Sequence, residues 1–219
     1  MLLVSNGCSH TAGAELEYPQ QGECYNKAWP RYLADDLDLD HINISMAGAS
    51  THRIIRTTYE FIYDWVKQRK DTKELLFIIL WPGTHRTEVY CDDNHIYNYD
   101  NRWAPIVVGN DSSYKQVFST SLYNYYKSWT TNTTEYQSSS DFYIDVTNLQ
   151  NLFYRYGIKH LFMDATNSGL LTMDKSLDKY RIHIDKKYYE GFDNRDNCYV
   201  NLCKYSKQKI SKYSVDSGF

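Results

Sequence analysis

The chain has 219 residues, 42% of them hydrophobic and 23% charged, with a formal net charge of -3. That length supports one well-buried core without a second domain, and the slight negative balance provides no basic field to gather nucleic acid or an anionic membrane surface. No apolar run approaches the roughly twenty residues that a bilayer span needs, so a membrane role is not expected.

In chain order, Leu2 to Ser5 is a short apolar run stopped by Asn6-Gly7, the pattern of a buried strand entering a turn. The start carries no basic residues and too short an apolar stretch for a cleavable signal peptide. From Asn26 to Leu37, Ala28, Trp29, Leu33, Ala34 and Leu37 fall on one helical face, with Pro30 tolerable in a first turn. Ile42 to Met46 is a second strand, broken by Ala47-Gly48-Ala49 before Ser50, the expected N-cap of a long helix through Ile54, Ile55, Thr58, Phe61, Ile62, Trp65 and Val66. Leu75 to Trp81 is a continuous apolar run of the kind found in central parallel strands, ended by Pro82-Gly83.

Residues 84–140 are dominated by Asp, Asn, Ser, Thr and Tyr, with a helix-like patch from Val117 to Trp129 and a polar stretch from Thr130 to Ser140. They are expected to form an insertion or lid over the sheet. A helix from Asp141 to Tyr156, capped by Gly157, leads to a strand from His160 to Asp164. Alternating strands and helices predict one domain over residues 1–219, an α/β fold of the three-layer α/β/α type with a mainly parallel sheet. In such sheets ligands gather beyond the carboxyl ends of the strands, which here are Asn6 to His10, Ala47 to Ser50 and Trp81 to Arg86.

Five cysteines, an odd number with no CxxC spacing, argue against a disulfide framework and a zinc knuckle and read as reduced thiols. The histidines are too scattered for a metal site, and no cofactor is expected. The 22 tyrosines fill half-buried positions or make a sugar-stacking or partner surface.

The chemistry centres on Asn6-Gly7-Cys8-Ser9-His10-Thr11-Ala12-Gly13, which sets a serine two residues past a glycine at the mouth of the sheet. A serine hydroxyl attacks only when a base takes its proton, and the oxyanion it forms needs preorganised donors; glycines let backbone N–H groups approach. Gly48, after the second strand, is expected beside Ser9. No GxSxG elbow occurs, which disfavours the α/β-hydrolase fold.

Gly7-Cys8-Ser9-His10-Thr11 resembles the first block of the SGNH (GDSL esterase-like) hydrolases, with Ser9 on the nucleophile. Asn43 to Arg53 resembles the second block, with Gly48 on the oxyanion glycine. Leu76 to Arg86 resembles the third, except that the family's Gly-x-Asn-Asp reads Gly83-Thr84-His85-Arg86 and His85 stands in the asparagine's place. The closest likeness is to the divergent SGNH-like proteins encoded by bacteriophages, which implies a flavodoxin-like sheet and a location in the cytoplasm, that of an infected host included, or on a virion. The fourth block should be Asp-x-x-His. Asp216-Ser217-Gly218-Phe219 has the aspartate, the implied orienting carboxylate, and then ends. Either a histidine-bearing segment follows or the protein lacks the usual base.

The resemblance implies an SGNH-type serine esterase or deacetylase acting on an O-acyl ester of a small molecule or carbohydrate. Ser9 and Gly48 would hold the oxyanion, and His85 and His10 would line the site. A rival is a non-catalytic binding or virion-associated protein that kept the fold; a third reading is an acyltransferase. Without a histidine base, little or no turnover of small activated esters is expected. Each residue also has a plainer reading: Ser9 caps a helix, Gly48 ends a strand, His10 points away from Ser9, His85 is structural, and Cys8 is a small buried side chain.

Overall fold

The computed structural model describes residues 1–14, 16, 24–91, 102–166, 174–190, 192–193 and 198–199. In order, the chain forms β1 (Leu2–Gly7), α1 (Ser9–Ala12), α2 (Trp29–Asp36), β2 (Asp40–Asn43), α3 (Thr51–Lys67), β3 (Leu75–Trp81), β4 (Arg86–Tyr90), β5 (Trp103–Val107), α4 (Asp111–Val117), α5 (Thr120–Asn132), α6 (Glu135–Tyr156), β6 (Lys159–Asp164), α7 (Asp178–Arg181) and β7 (Tyr189–Glu190).

Five strands make one sheet in the order β2-β1-β3-β6-β7, and each neighbouring pair is parallel. This is the doubly wound order in which the chain first moves outward from β1 and then crosses to β3, so a crevice opens at the carboxyl ends of β1 and β3. Side chains alternate across the pleat and divide the core into two layers. Val4, Phe77, Ile79, Trp81 and Phe162 pack against Ile54 and Ile62 of α3 and Phe142, Val146, Leu149 and Phe153 of α6. On the other face Leu3 and Ile78 meet Ala34 and Leu33 of α2. The three-layer α/β/α sandwich is therefore the architecture of this chain.

Local signals explain most element ends. Ser50 caps α3 by accepting from the Arg53 N–H at 3.1 Å, and Gly157 closes α6 at φ 65. Pro30 lies in the first turn of α2, which starts at Trp29, three residues later than expected. β2 spans Asp40–Asn43, earlier than the apolar run suggests, although Ile44 N–H and Met46 N–H still donate to the Ser5 and Gly7 carbonyls along β1. As an edge strand it exposes alternate residues, so its polar members are as strand-like as its apolar ones.

Within residues 84–140, β4 and β5 form an antiparallel hairpin. A separate small core of Ala104, Ile106, Tyr114, Leu122 and Tyr126 joins it to α4 and α5, while residues 135–140 are the first turns of α6. The hairpin is fastened to α3 by Arg56, whose guanidinium donates to both oxygens of Glu88 at 2.8 and 3.0 Å and lies 4.7 Å from the centre of the Trp103 ring. Among the described residues no helix is long and apolar enough to cross a membrane, and Cys8, Cys24, Cys91 and Cys198 are free thiols.

Candidate active site

The exit of β1 is held from three sides. Asn6 is fully buried; its amide donates to the Ile54 carbonyl at 3.1 Å and to the Thr57 and Thr58 hydroxyls at 2.9 and 3.0 Å, while its oxygen accepts the Gly7 N–H at 2.8 Å. Those bonds tie the strand's last residues to α3. At Gly7 a Cβ would stand 2.8 Å from the Leu80 carbonyl oxygen and closer still to the Thr11 hydroxyl, so only glycine lets the next turn fold against β3. From the β2 side, the Asn43 amide donates to the Thr11 carbonyl at 2.8 Å, and its oxygen accepts the Ser45 N–H at 3.1 Å and also the Ser45 hydroxyl.

Ser9 opens the turn so fixed. Cys8, not Ser9, holds the N-cap position of α1, and its carbonyl accepts the Thr11 and Ala12 N–H groups at 2.9 and 3.0 Å. Ser9 is half-buried, and among the described residues nothing hydrogen-bonds to its hydroxyl. The capping role is thus not what the serine performs. Ser9 lines an open pocket of about 290 Å³ with His10, Lys27, Trp29, Tyr32 and Tyr199. The Tyr199 ring lies 5.9 Å from His10 and 6.0 Å from Trp29, so a residue near the end of the described chain returns to the serine's turn. Partial burial holds the His10 pKa below its ordinary value, and the positive charge of Arg86 lowers it further. His10 is therefore a neutral imidazole near pH 7.

Gly48 sits where β2's extension has run past the end of β1. Met46 N–H donates to the Gly7 carbonyl at 3.3 Å and Ala49 N–H to the Met46 carbonyl at 3.1 Å, a turn that leaves Gly48 at φ 77 with open space where a Cβ would be. His85, after β3, folds over Gly83 and lines a separate cavity of about 270 Å³ with Trp129, Thr133 and Glu135. Burial and Arg86 lower its pKa also. Ser9 and His10 thus share a pocket, His85 lines a different cavity, and Gly48 lines neither of these two. Asp216 lies outside the described residues.

Several residues the motif search passed over matter here. Arg86 is the charge felt by both His10 and His85, and its Nη1 makes a weak 3.5 Å contact with the carbonyl of Ala49, next to Gly48. The signal was present: a cation stands where the third block has an acid. A second polar group links α3, β4 and α6. His52 Nδ1 lies 3.0 Å from the Thr87 hydroxyl, and Nε2 lies 3.7 Å from Asp145. Burial pushes Asp145 up, His52 pulls it back, and Asp141 raises it again. At the end of β6, Asp164 is buried with the Tyr189 hydroxyl donating to it, and desolvation pushes its carboxyl up to about 7. Among the described residues no group of three His, Cys, Asp or Glu side chains is placed to hold a metal ion.

The profile of the Family of unknown function (DUF6071) spans residues 16–198 of this chain. The chain belongs to that family. Ser9 and His10 of this DUF6071 member stand ahead of the matched span. No curated protein matches it in sequence. Among solved structures, it is similar to an acetyl xylan esterase at 13% identity and a TM-score of 0.34, over 90% of this chain and 75% of that one. It is also similar to a protein described as a GDSL-like lipase from Parabacteroides merdae ATCC 43184, at 13% identity and a TM-score of 0.34, over 83% of this chain and 70% of the other. Likeness at this level leaves the reaction to be argued from the chain's own residues.

Proposed function

We propose that this DUF6071 member is an SGNH-type serine hydrolase that cleaves an O-acyl ester, with Ser9 as the nucleophile. The observation that carries the reading is the exit of β1: a half-buried hydroxyl without a partner, on a turn held by Asn6, Gly7 and Asn43, beside the crevice between β1 and β3. In the first step the Ser9 Oγ–C bond forms, the carbonyl π pair moves onto oxygen, and the hydroxyl proton passes to a base in the pocket, for which His10, neutral and lining the same pocket, is the candidate. The pair then returns, the C–O bond to the leaving alcohol breaks, and the alkoxide takes up the proton. Water repeats the sequence on the acyl-serine and releases the acid. Trp29, Tyr32 and Tyr199 around the pocket suit a flat, partly apolar alcohol moiety such as a sugar ring.

The test is hydrolysis of p-nitrophenyl acetate by the chain and by its Ser9→Ala variant. Weak turnover that disappears in the variant supports the reading; equal turnover in both opposes it. One observation favours a second reading, a non-catalytic binding protein on the same fold: among the described residues no base is hydrogen-bonded to Ser9. Under that reading the chain binds an oligosaccharide at the Ser9 pocket and hydrolyses nothing.

A further inference from the structure

We propose that the cleft where the start of α3, the turn after β3 and the junction of α5 with α6 meet is a binding site for a neutral saccharide unit. The proposal stands apart from the reading of Ser9, because no residue lines both this cleft and the Ser9 pocket.

The cleft has a narrow inner part of about 50 Å³ and an outer part of about 270 Å³; Thr84, Trp129, Thr133 and Ser138 line both, so the two adjoin. Together they approach the lower end of the range for small-molecule sites, roughly 300 Å³. The first turn of α3 supplies Thr51 and His52 to the inner part, and α6 supplies Asp141 and Asp145, four residues apart on one helix face. Arg86, the first residue of β4, completes it.

The charged groups of the inner part are not spent on one another. Among the described residues no carboxylate lies within ion-pair distance of Arg86, although Asp141 and Asp145 border the same space. Its Nη1 makes a weak 3.5 Å contact with the Ala49 carbonyl, and its Nε is buried with no hydrogen-bond partner. Thr51, 6% exposed, carries a second buried orphan, its hydroxyl. Buried polar groups without partners are rare in folded proteins, and two in the wall of one cavity point to an occupant.

The lining selects the occupant's chemistry. A guanidinium only donates hydrogen bonds, and an ionised carboxylate only accepts them. An anion would suit Arg86 and be repelled by the two aspartates; a cation would meet the reverse. A sugar hydroxyl donates to a carboxylate and accepts from a guanidinium at once, so a polyol matches both without net charge. Thr84, Thr133 and Ser138 add neutral hydrogen-bonding groups along both parts, and Trp129, half-buried on the last turn of α5, sets an indole where the parts join, a surface suited to the apolar face of a sugar ring. A zwitterion would match the charges and leave the hydroxyls and the tryptophan without a role.

The test titrates the full chain with mono- and trisaccharides of glucose, mannose, xylose and N-acetylglucosamine, with glycine and inorganic phosphate as comparators, and follows the indole N–H signal of Trp129 by NMR. At least one sugar should shift that signal saturably; a response to trisaccharides alone assigns a chain end, and a response to the monosaccharide too assigns a free sugar. Asp141→Asn, a change at an exposed position that leaves the fold intact, should weaken binding about tenfold or more, as the loss of a hydrogen bond to a charged group predicts. No saturable shift with any sugar, a stronger response to glycine or phosphate, or unchanged affinity in Asp141→Asn overturns the proposal. Binding that Tyr32→Ala abolishes and Asp141→Asn spares puts the sugar in the Ser9 pocket and overturns it too. None of these outcomes touches the reading of Ser9 as nucleophile, which stands or falls on Ser9→Ala.

Discussion

The side-chain amide of Asn43 donates to the carbonyl oxygen of Thr11 at 2.8 Å, which fastens the last residue of β2 to the turn that begins with Ser9. The bond joins two segments that lie 32 residues apart in sequence and that the sheet brings together. Asn43→Ala removes it and also strips the Ser45 N–H of its acceptor. The expected cost is about 1–3 kcal/mol, read as a lower urea midpoint at unchanged slope. Because the turn also loosens, reaction at Ser9 should slow in the same variant. An unchanged midpoint together with unchanged reactivity at Ser9 contradicts this account of the turn.

The hairpin should depend on one ion pair. The Glu88 side chain is 4% exposed, and Arg56 supplies both of its charged contacts at 2.8 and 3.0 Å. Arg56→Ala leaves that carboxylate buried without a counter-charge, at a cost of about 3 kcal/mol. The double change Arg56→Ala with Glu88→Gln should recover much of it, since the orphaned charge is then gone. Hydrogen exchange across residues 86–90 and 103–107 reports the effect locally. If the two single changes are as mild apart as together, the pair is not what holds β4 against α3.

Asp164 predicts an unusual pH dependence. Its carboxyl is pushed from 3.8 up to about 7, chiefly by burial, against the opposing hydrogen bond from Tyr189. The native chain therefore holds this proton over a range in which the unfolded chain has lost it. Stability contributed here falls as pH rises from about 4 to 7 and is flat above, opposite to an ordinary salt-bridged aspartate. Roughly three pKa units correspond to something on the order of 4 kcal/mol. Asp164→Asn should flatten that slope and raise the melting temperature at pH 8 relative to the parent. A parent more stable at pH 7 than at pH 5, with the variant following the same curve, contradicts the assignment.

The sheet was largely legible in the sequence. β3 is the apolar run Leu75–Trp81 itself, since a central parallel strand is buried on both faces, and Ser50 and Gly157 mark helix ends by chemistry that works over three or four residues. Segments stabilised by contacts distant in sequence were harder to read. β7 is two residues long and exists because Tyr189 pairs beside Phe162. β4 and β5 carry Thr, Glu, Tyr and Pro, and their pattern makes sense only beside Arg56 and the small core under Tyr114. Ser9 was visible because a glycine two residues before a serine at a strand's end is local. Tyr199 and the Asn43–Thr11 bond were not, because each acts across elements that only the folded sheet brings together.

The most direct measurement is the site of covalent modification by a fluorophosphonate, mapped by fragmentation of the tryptic peptide covering residues 1–27. That peptide contains Ser5 and Thr11 as well as Ser9, so the result discriminates among hydroxyls. Ser5 is fully buried with its hydroxyl 3.0 Å from His41, and Thr11 is fully buried, whereas Ser9 alone of the three opens onto the pocket. The account predicts one adduct, on Ser9, absent from Ser9→Ala. An adduct on another residue, or none in a chain shown to be folded, contradicts it.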